Sequence, residues 1–288
     1  MKVFHDAWYT LFDRSFNPKK YLYHFTSIES ATKILHGGTL KFSKVSRAND
    51  TLESKPRISF ENGKEEEVQN AIRHFREINN KFLQILCFSM DKNVPSEESG
   101  VSLVSTEDRI MNFSGRGFAL PRMWAQYAGN NKGICLVFNK DRIIEAIEKE
   151  VGGSLLMHGP VEYLDYFERR DTECGDIVDL INKKSRTQNA VQQSLRDIDF
   201  FKRHMDFVEY NYFCKLSDWE NENEYRFVAY GEDDYFVENI YSALTGVVVG
   251  ENIEPETERI IRLFCDGKCE VKKISFSYAG CQLRAIKE

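Results

Sequence analysis

The chain has 288 residues, of which 42% are hydrophobic and 13% aromatic, and a formal net charge of -6. That composition lies above the disordered range and supplies apolar surface for a sizeable, ring-rich core. The acidic balance argues against a surface given over wholly to nucleic acid or anionic lipid, and no run of about 18 apolar residues reads as a membrane span.

The opening Met1-Lys2-Val3-Phe4-His5-Asp6 lacks the basic-then-apolar order of an export signal, so a cytoplasmic protein without a membrane partner is expected. The 7 Cys fit that compartment. Cys87, Cys135 and Cys214 have apolar neighbours, where a thiol acts as a small hydrophobe. Cys265 and Cys269 are the one close pair. No further soft ligands stand nearby, so reduced thiols and no metal are expected.

In chain order, Tyr21–Phe25 reads as a strand. A helix follows, capped by Thr26 or Ser27, with Ile28, Ala31, Ile34 and Leu35 at helical spacing and Gly37-Gly38 at its end. Thr39–Ser43 is a second short strand, and Ser46–Pro56 a polar turn region. Lys64–Lys81 has the period of an amphipathic helix, and Leu83–Ser89 is an apolar strand. Asp91–Gly117 shows no clear period and reads as a long loop. Leu120–Ala128 is a short helix opened by Pro121, followed by a buried strand at Gly133–Phe138. A helix at Asp141–Glu150 and a strand at Val161–Tyr166 come next. Ile177–Phe213 is mostly helical, and the series closes with a strand at Tyr225–Tyr230, a strand at Gly246–Gly250, a helix at Pro255–Phe264 and a strand at Val271–Tyr278. These elements predict an α+β fold in a single domain, residues 1–288, with a helical insertion at about 177–213.

Four clusters carry polar chemistry. His24 lies at the exit of the first strand, as a ligand-site residue or a histidine satisfied within the sheet. Arg47-Ala48-Asn49-Asp50 is an anion clamp, with Arg47 as a bidentate phosphate partner, or an ordinary turn capped by Asn and Asp. Trp124 and Tyr127 lie three apart on a helix, where Trp124 is expected in the core and Tyr127 is open. Glu220, Glu222 and Glu224 alternate before a strand. In extended chain they share a face, which is unfavourable unless a cation offsets them. Arg226 has the same parity and is a structural partner for Glu224. A further basic run, Lys183, Lys184, Arg186, Arg196, Lys202 and Arg203, reads as a solvated helix face or a phosphate-contacting surface.

Together these clusters resemble a bacterial family of domains of unknown function. The resemblance runs through Tyr23-His24-Phe25-Thr26, Leu40-Lys41-Phe42-Ser43, Asn49-Asp50, Leu86-Cys87-Phe88-Ser89, Met123–Ala128, Gly133-Ile134-Cys135 and Trp219–Arg226. The opening strand with His24, then helix, Gly-Gly and short strand, also resembles ADP-ribosyltransferase folds, with Glu222-x-Glu224 similar to their paired-carboxylate motif. Phe42 stands where one subgroup has Tyr, and the Ser-Thr-Ser of another is missing.

The resemblance implies a split mixed β-sheet core and an NAD⁺-using activity. It implies Glu224, His24 and Glu222 as catalytic residues, and NAD⁺ contacts from His24, Thr26, Phe42, Ser43, Arg47, Asn49, Asp50 and Tyr127. NAD⁺ is then a substrate, either hydrolysed as by an NAD glycohydrolase or used for transfer to a nucleic acid or a protein, in a toxin or anti-phage role. A carboxylate beside the ribose stabilises the positive charge that builds as nicotinamide leaves. Two alternatives stand beside this reading. One is a non-catalytic nucleotide-sensing module. The other is a metal-dependent nuclease, drawing on Glu220, Glu222 and Glu224 with Asp50 and Glu53.

Overall fold

A computed structural model describes residues 20–50, 52–53, 65–92, 115–151, 155–166, 205–231, 233–277 and 280–285. The Asp91–Gly117 loop, the 177–213 insertion and the basic run from Lys183 to Arg203 lie wholly or largely outside them.

The described strands are β1 (Tyr21–Thr26), β2 (Leu40–Lys41), β3 (Ser43–Lys44), β4 (Leu83–Met90), β5 (Ile134–Asn139), β6 (Leu155–Pro160), β7 (Glu162–Leu164), β8 (Cys214–Leu216), β9 (Glu224–Tyr230), β10 (Phe236–Val237), β11 (Leu244–Val249), β12 (Glu270–Ser277) and β13 (Gly280–Ala285). The helices are α1 (Ile28–Gly37), α2 (Glu65–Phe82), α3 (Pro121–Gln126), α4 (Lys140–Val151), α5 (Met205–Tyr212) and α6 (Pro255–Cys265). The main sheet runs β13-β12-β11-β5-β1-β4-β9-β6, with β3 added on β4. It is mixed: β11 and β12 are parallel, joined through α6, and the other pairs are antiparallel. The expected mixed-sheet α+β architecture is present.

Both faces of the central strands are covered, so they read as continuous apolar runs. Ile134, Leu136 and Phe138 of β5 join a core with Ala31 and Leu35 of α1, Ile143 and Ile147 of α4, and Ile261 of α6. The alternate residues Cys135 and Val137 join a second core on the opposite face with Tyr23, Phe118 and Trp124. Trp124 is fully buried and its Nε1–H donates to the Phe118 carbonyl at 2.6 Å, as the core reading expects.

Ser27 caps α1, its hydroxyl accepting from the Ser30 N–H, and Gly38 ends that helix at φ 65. The cysteines described are free thiols, Cys265 and Cys269 included. Among the described residues no helix is long and apolar enough to cross a membrane.

Three expectations are corrected. Thr39–Ser43 is not one strand: Phe42 is fully buried, and the chain pairs on either side of it with different partners, β2 with β10 and β3 with β4. The strand expected at Val161–Tyr166 shortens to β7, and β6 precedes it on the edge of the sheet. Its Met157-His158-Gly159-Pro160 run lacks the alternation that marks a half-buried strand. The approach to β9 is not extended: Ser217–Glu222 forms a 3-10 turn, and Asn223 adopts the left-handed conformation at φ 44. The three glutamates therefore do not share one face, and Glu220 is exposed while Glu222 and Glu224 are buried.

Candidate active site

The site begins where two strands part. β1 pairs with β5 along its whole length, but with β4 only through Leu22↔Met90 and Tyr23↔Ser89. Farther along, β4 takes β3 as its neighbour instead, at Ser43↔Ile85 and Lys44↔Gln84. The intervening segment Leu86–Phe88 faces a split in the sheet. A cavity of about 770 Å³ occupies it, lined by residues of β1 to β4, the Arg47–Asn49 turn, the end of α3, Lys215 and the start of β9.

His24 stands at the point of divergence. Its Nδ1 lies 3.0 Å from the Cys87 carbonyl oxygen. A carbonyl only accepts, so Nδ1 carries the proton in the neutral ring and Nε2 is left as an acceptor. Burial holds the imidazole below its ordinary pKa, against the opposing effect of the Cys87 carbonyl, which keeps the neutral form at physiological pH. The ring is thus satisfied within the sheet and also lines the cavity.

On the far wall lies a buried ionic cluster drawn from separate elements. Glu224 opens β9, and two positions on, with the same parity, Arg226 returns its guanidinium to it: Nε reaches Oε1 at 2.7 Å and Nη2 reaches Oε2 at 3.0 Å. The Lys215 ammonium of β8 lies 2.8 Å from Glu224, 2.8 Å from Glu222 and 3.2 Å from Glu53. Arg226 also donates to Glu53. Burial alone would raise the Glu224 pKa, but Arg226 and Lys215 outweigh it and hold the carboxyl well below the ordinary value. Burial would likewise lower Lys215, and Glu224 and Glu53 outweigh it, so the ammonium stays charged.

Tyr127 ties the cluster to α3. It caps the helix, and its hydroxyl donates to Glu222 Oε1 at 2.5 Å. The Trp219 ring receives two cations, Lys215 at 5.3 Å and Arg122 at 5.1 Å from its centroid.

The cavity brings together His24, Thr26, Phe42, Ser43, Arg47, Asn49, Tyr127, Glu222 and Glu224. Two of the expected ligand contacts change character. Phe42 is fully buried and packs edge-on against Tyr235, so its ring has no free face for stacking. Asp50 is not among the lining residues; it is buried, and its Oδ1 accepts from the Leu52 N–H at 2.8 Å, the turn-capping role.

The residues that sequence reasoning missed are Lys215 and, as a member of this cluster, Glu53. A lysine inside the apolar stretch Tyr212-Phe213-Cys214-Lys215-Leu216 was the available signal, since a buried ammonium requires carboxylate partners. Glu53, Glu222 and Glu224 do converge, as a nuclease would require, but on the ammonium of Lys215. Among the described residues, no group of three or more His, Cys, Asp or Glu is placed to hold a metal ion.

A family model described as a protein of unknown function, DUF2971, matches residues 123–227. That segment includes the Met123–Ala128, Gly133–Cys135 and Trp219–Arg226 motifs. Three solved structures are similar to the chain. Thermus sp. 2.9 DarT in complex with NAD⁺ shares 10% identity, over 89% of this chain and 97% of that one, at a TM-score of 0.33. The same protein with carba-NAD⁺ shares 11%, over 89% and 96%, at 0.31. With ADP-ribosylated ssDNA it shares 12%, over 88% and 94%, at 0.32. No curated protein matches the chain.

Proposed function

We propose that the chain binds NAD⁺ in the split between β1 and β4 and cleaves the nicotinamide–ribose bond, in the manner of an ADP-ribosyltransferase. The observation that carries this reading is the polarity of one cavity. Its buried wall holds Glu53, Glu222 and Glu224 against Lys215 and Arg226, three carboxylates to two cations, a formal charge of -1. Its rim carries Lys41, Lys44 and Arg47. A ligand with a diphosphate at one end and a developing cation at the other suits both.

In the reaction, the C–N bond breaks and its electron pair leaves with neutral nicotinamide. Positive charge develops on the ribose carbon, and an acceptor oxygen or nitrogen then adds there and gives up its proton. Glu224 is the carboxylate for that charge, held ionised and in a fixed place by Arg226 and Lys215, so little reorganisation is needed in the transition state. His24 Nε2 accepts from a ribose hydroxyl, and Arg47 meets the diphosphate. The acceptor in this reading is a nucleic acid or a protein, and the setting a bacterial toxin or defence system. Nicotinamide release from NAD⁺, followed with purified protein in the presence of cell extract, tests the reading. Absence of both turnover and NAD⁺ binding overturns it.

One observation favours a second reading. Both oxygens of Glu224 are already engaged by cations, as suits a rigid wall that recognises a nucleotide without reacting with it. The two readings separate on Glu224→Gln.

A further inference from the structure

Among the described residues, four large hydrophobic side chains are exposed: Tyr166, Phe236, Ile260 and Leu263. Of these, Phe236 alone lines the cavity. The residue is 46% exposed. A half-exposed aromatic ring on the wall of a charged cavity, with the Lys41 ammonium over it, suits a flat partner on its remaining surface.

The ring is held in a fixed place. Phe236 pairs with Lys41 and Val237 with Leu40 in the β2–β10 ribbon. Val237 and Leu40 point into the core, at 0% and 1% exposure, so strand alternation turns Phe236 outward. The ribbon is anchored next to it, where the Phe42 N–H donates to the Tyr235 carbonyl at 3.0 Å and the Gln84 side chain donates to the Asp233 carbonyl at 2.7 Å.

Cations stand beside the ring on the same cavity wall. The Lys41 ammonium lies 5.2 Å from the ring centroid and 2.5 Å from Asp234. The Asp234 carboxyl is held below its ordinary value by the hydrogen bond from Lys41 and by the charges of Lys41, Lys44 and Arg47, so those cations share its surroundings.

We infer that the Phe236 ring is a stacking platform for a nucleobase, and that Lys44 and Arg47 take the phosphates attached to it, making the cavity mouth a nucleoside diphosphate site. The inference rests on the reading of the cavity as a dinucleotide site, and it assigns the end away from Glu224. One aromatic ring on a fixed backbone, with the Arg47 guanidinium on the same cavity wall, matches a flat base joined to a diphosphate.

Binding of two probes, ADP and inorganic pyrophosphate, to the full chain tests this by calorimetric titration. Phe236→Ala weakens ADP by about tenfold or more, the range of one lost base–aromatic stack, and leaves pyrophosphate unchanged. Phe236→Trp retains ADP binding. Arg47→Ala weakens both probes, since both present phosphate. The side chain of Phe236 is half exposed, so its removal leaves the fold intact, and equal thermal midpoints of the variant and the wild type verify this.

Three results overturn the inference: no ADP binding by the wild type, unchanged ADP binding by Phe236→Ala, or a parallel loss of ADP and pyrophosphate in that variant, which would make the ring a support for the cations only. If NAD⁺ is neither bound nor cleaved while ADP binds through Phe236, the glycosidic-bond reading falls and this site stands.

Discussion

The Lys215 ammonium lies 2.8 Å from the Glu224 carboxylate, although the two residues sit in different sheets. Lys215 belongs to the small β7–β8 pair, and Glu224 to the main sheet. This ion pair, with Glu53 and Glu222 around the same ammonium, fixes the far wall of the cavity.

Removing that ammonium leaves Arg226 as the cation facing Glu53 and Glu224, and leaves Glu222 with the Tyr127 hydroxyl. Lys215→Met is therefore expected to lower stability by about 3–5 kcal/mol, the usual cost of stranding a buried charge. Adding Glu53→Gln to Lys215→Met removes one stranded charge and recovers part of the loss. Urea unfolding of the wild type and the two variants measures both effects. A double variant no more stable than the single one would show that Lys215 does not balance Glu53.

Glu224→Gln keeps the shape of the side chain and removes its charge. If the carboxylate offsets the developing ribose cation, nicotinamide release falls by about a hundredfold or more while NAD⁺ affinity changes little. A nucleotide-sensing wall predicts otherwise: a wild type that binds NAD⁺ without turning it over, and a variant that still produces the biological effect. Single-turnover kinetics beside equilibrium binding separates the two.

Asp91 supplies a pH signature of its own, outside the ionic cluster. Its carboxyl is raised from 3.8 to about 6, mainly by burial, with Arg116 and the Gly117 N–H opposing. The folded state thus holds this proton more tightly than the unfolded state. The stabilisation from it is complete below about pH 4 and is lost as pH rises through about 6. Asp91→Asn has no proton to lose, so its stability relative to the wild type should rise by about 3 kcal/mol between those limits, each tenfold difference in proton affinity being worth about 1.4 kcal/mol. Glu224 works in the opposite sense at lower pH, its stabilisation being lost as pH falls through its depressed value. Denaturant midpoints of both proteins across pH 3.5 to 7 give the difference curve, and a flat one would refute the assignment.

Gly133 opens the way into β5 where the backbone passes close to two other segments. A Cβ there would fall on the Thr26 carbonyl oxygen and lie 2.8 Å from that of Ala128. Both are main-chain atoms that cannot swing aside. Gly133→Ala should destabilise the protein by about 2 kcal/mol or more, within the range of overpacking effects. Thermal unfolding would show this, and an unchanged midpoint would mean that the strand shifts freely.

Period and punctuation in the chain determined most of the element order. Tyr21–Thr26, α1 with its Ser27 cap and Gly38 terminus, the apolar runs of β4, β5 and β11, and Pro255 at the start of α6 all follow from local rules, because each pattern is complete within a few residues. His24, Glu222 and Glu224 were legible as polar groups at the edges of such elements, and the Glu224–Arg226 pair followed from strand parity. Tertiary structure alone decided what surrounds them. The split between β1 and β4 depends on β3 displacing β1 from part of one edge, a choice among distant partners that no local pattern records. The meeting of Glu53, Lys215 and Glu224 joins positions far apart in sequence, and buried charge reveals only that partners must exist, not which ones. The fate of Phe42 and Phe236 was decided in the same way. One ring is sealed in the core and the other stands on the cavity wall, because strand pairing, and not residue type, sets which way each side chain points.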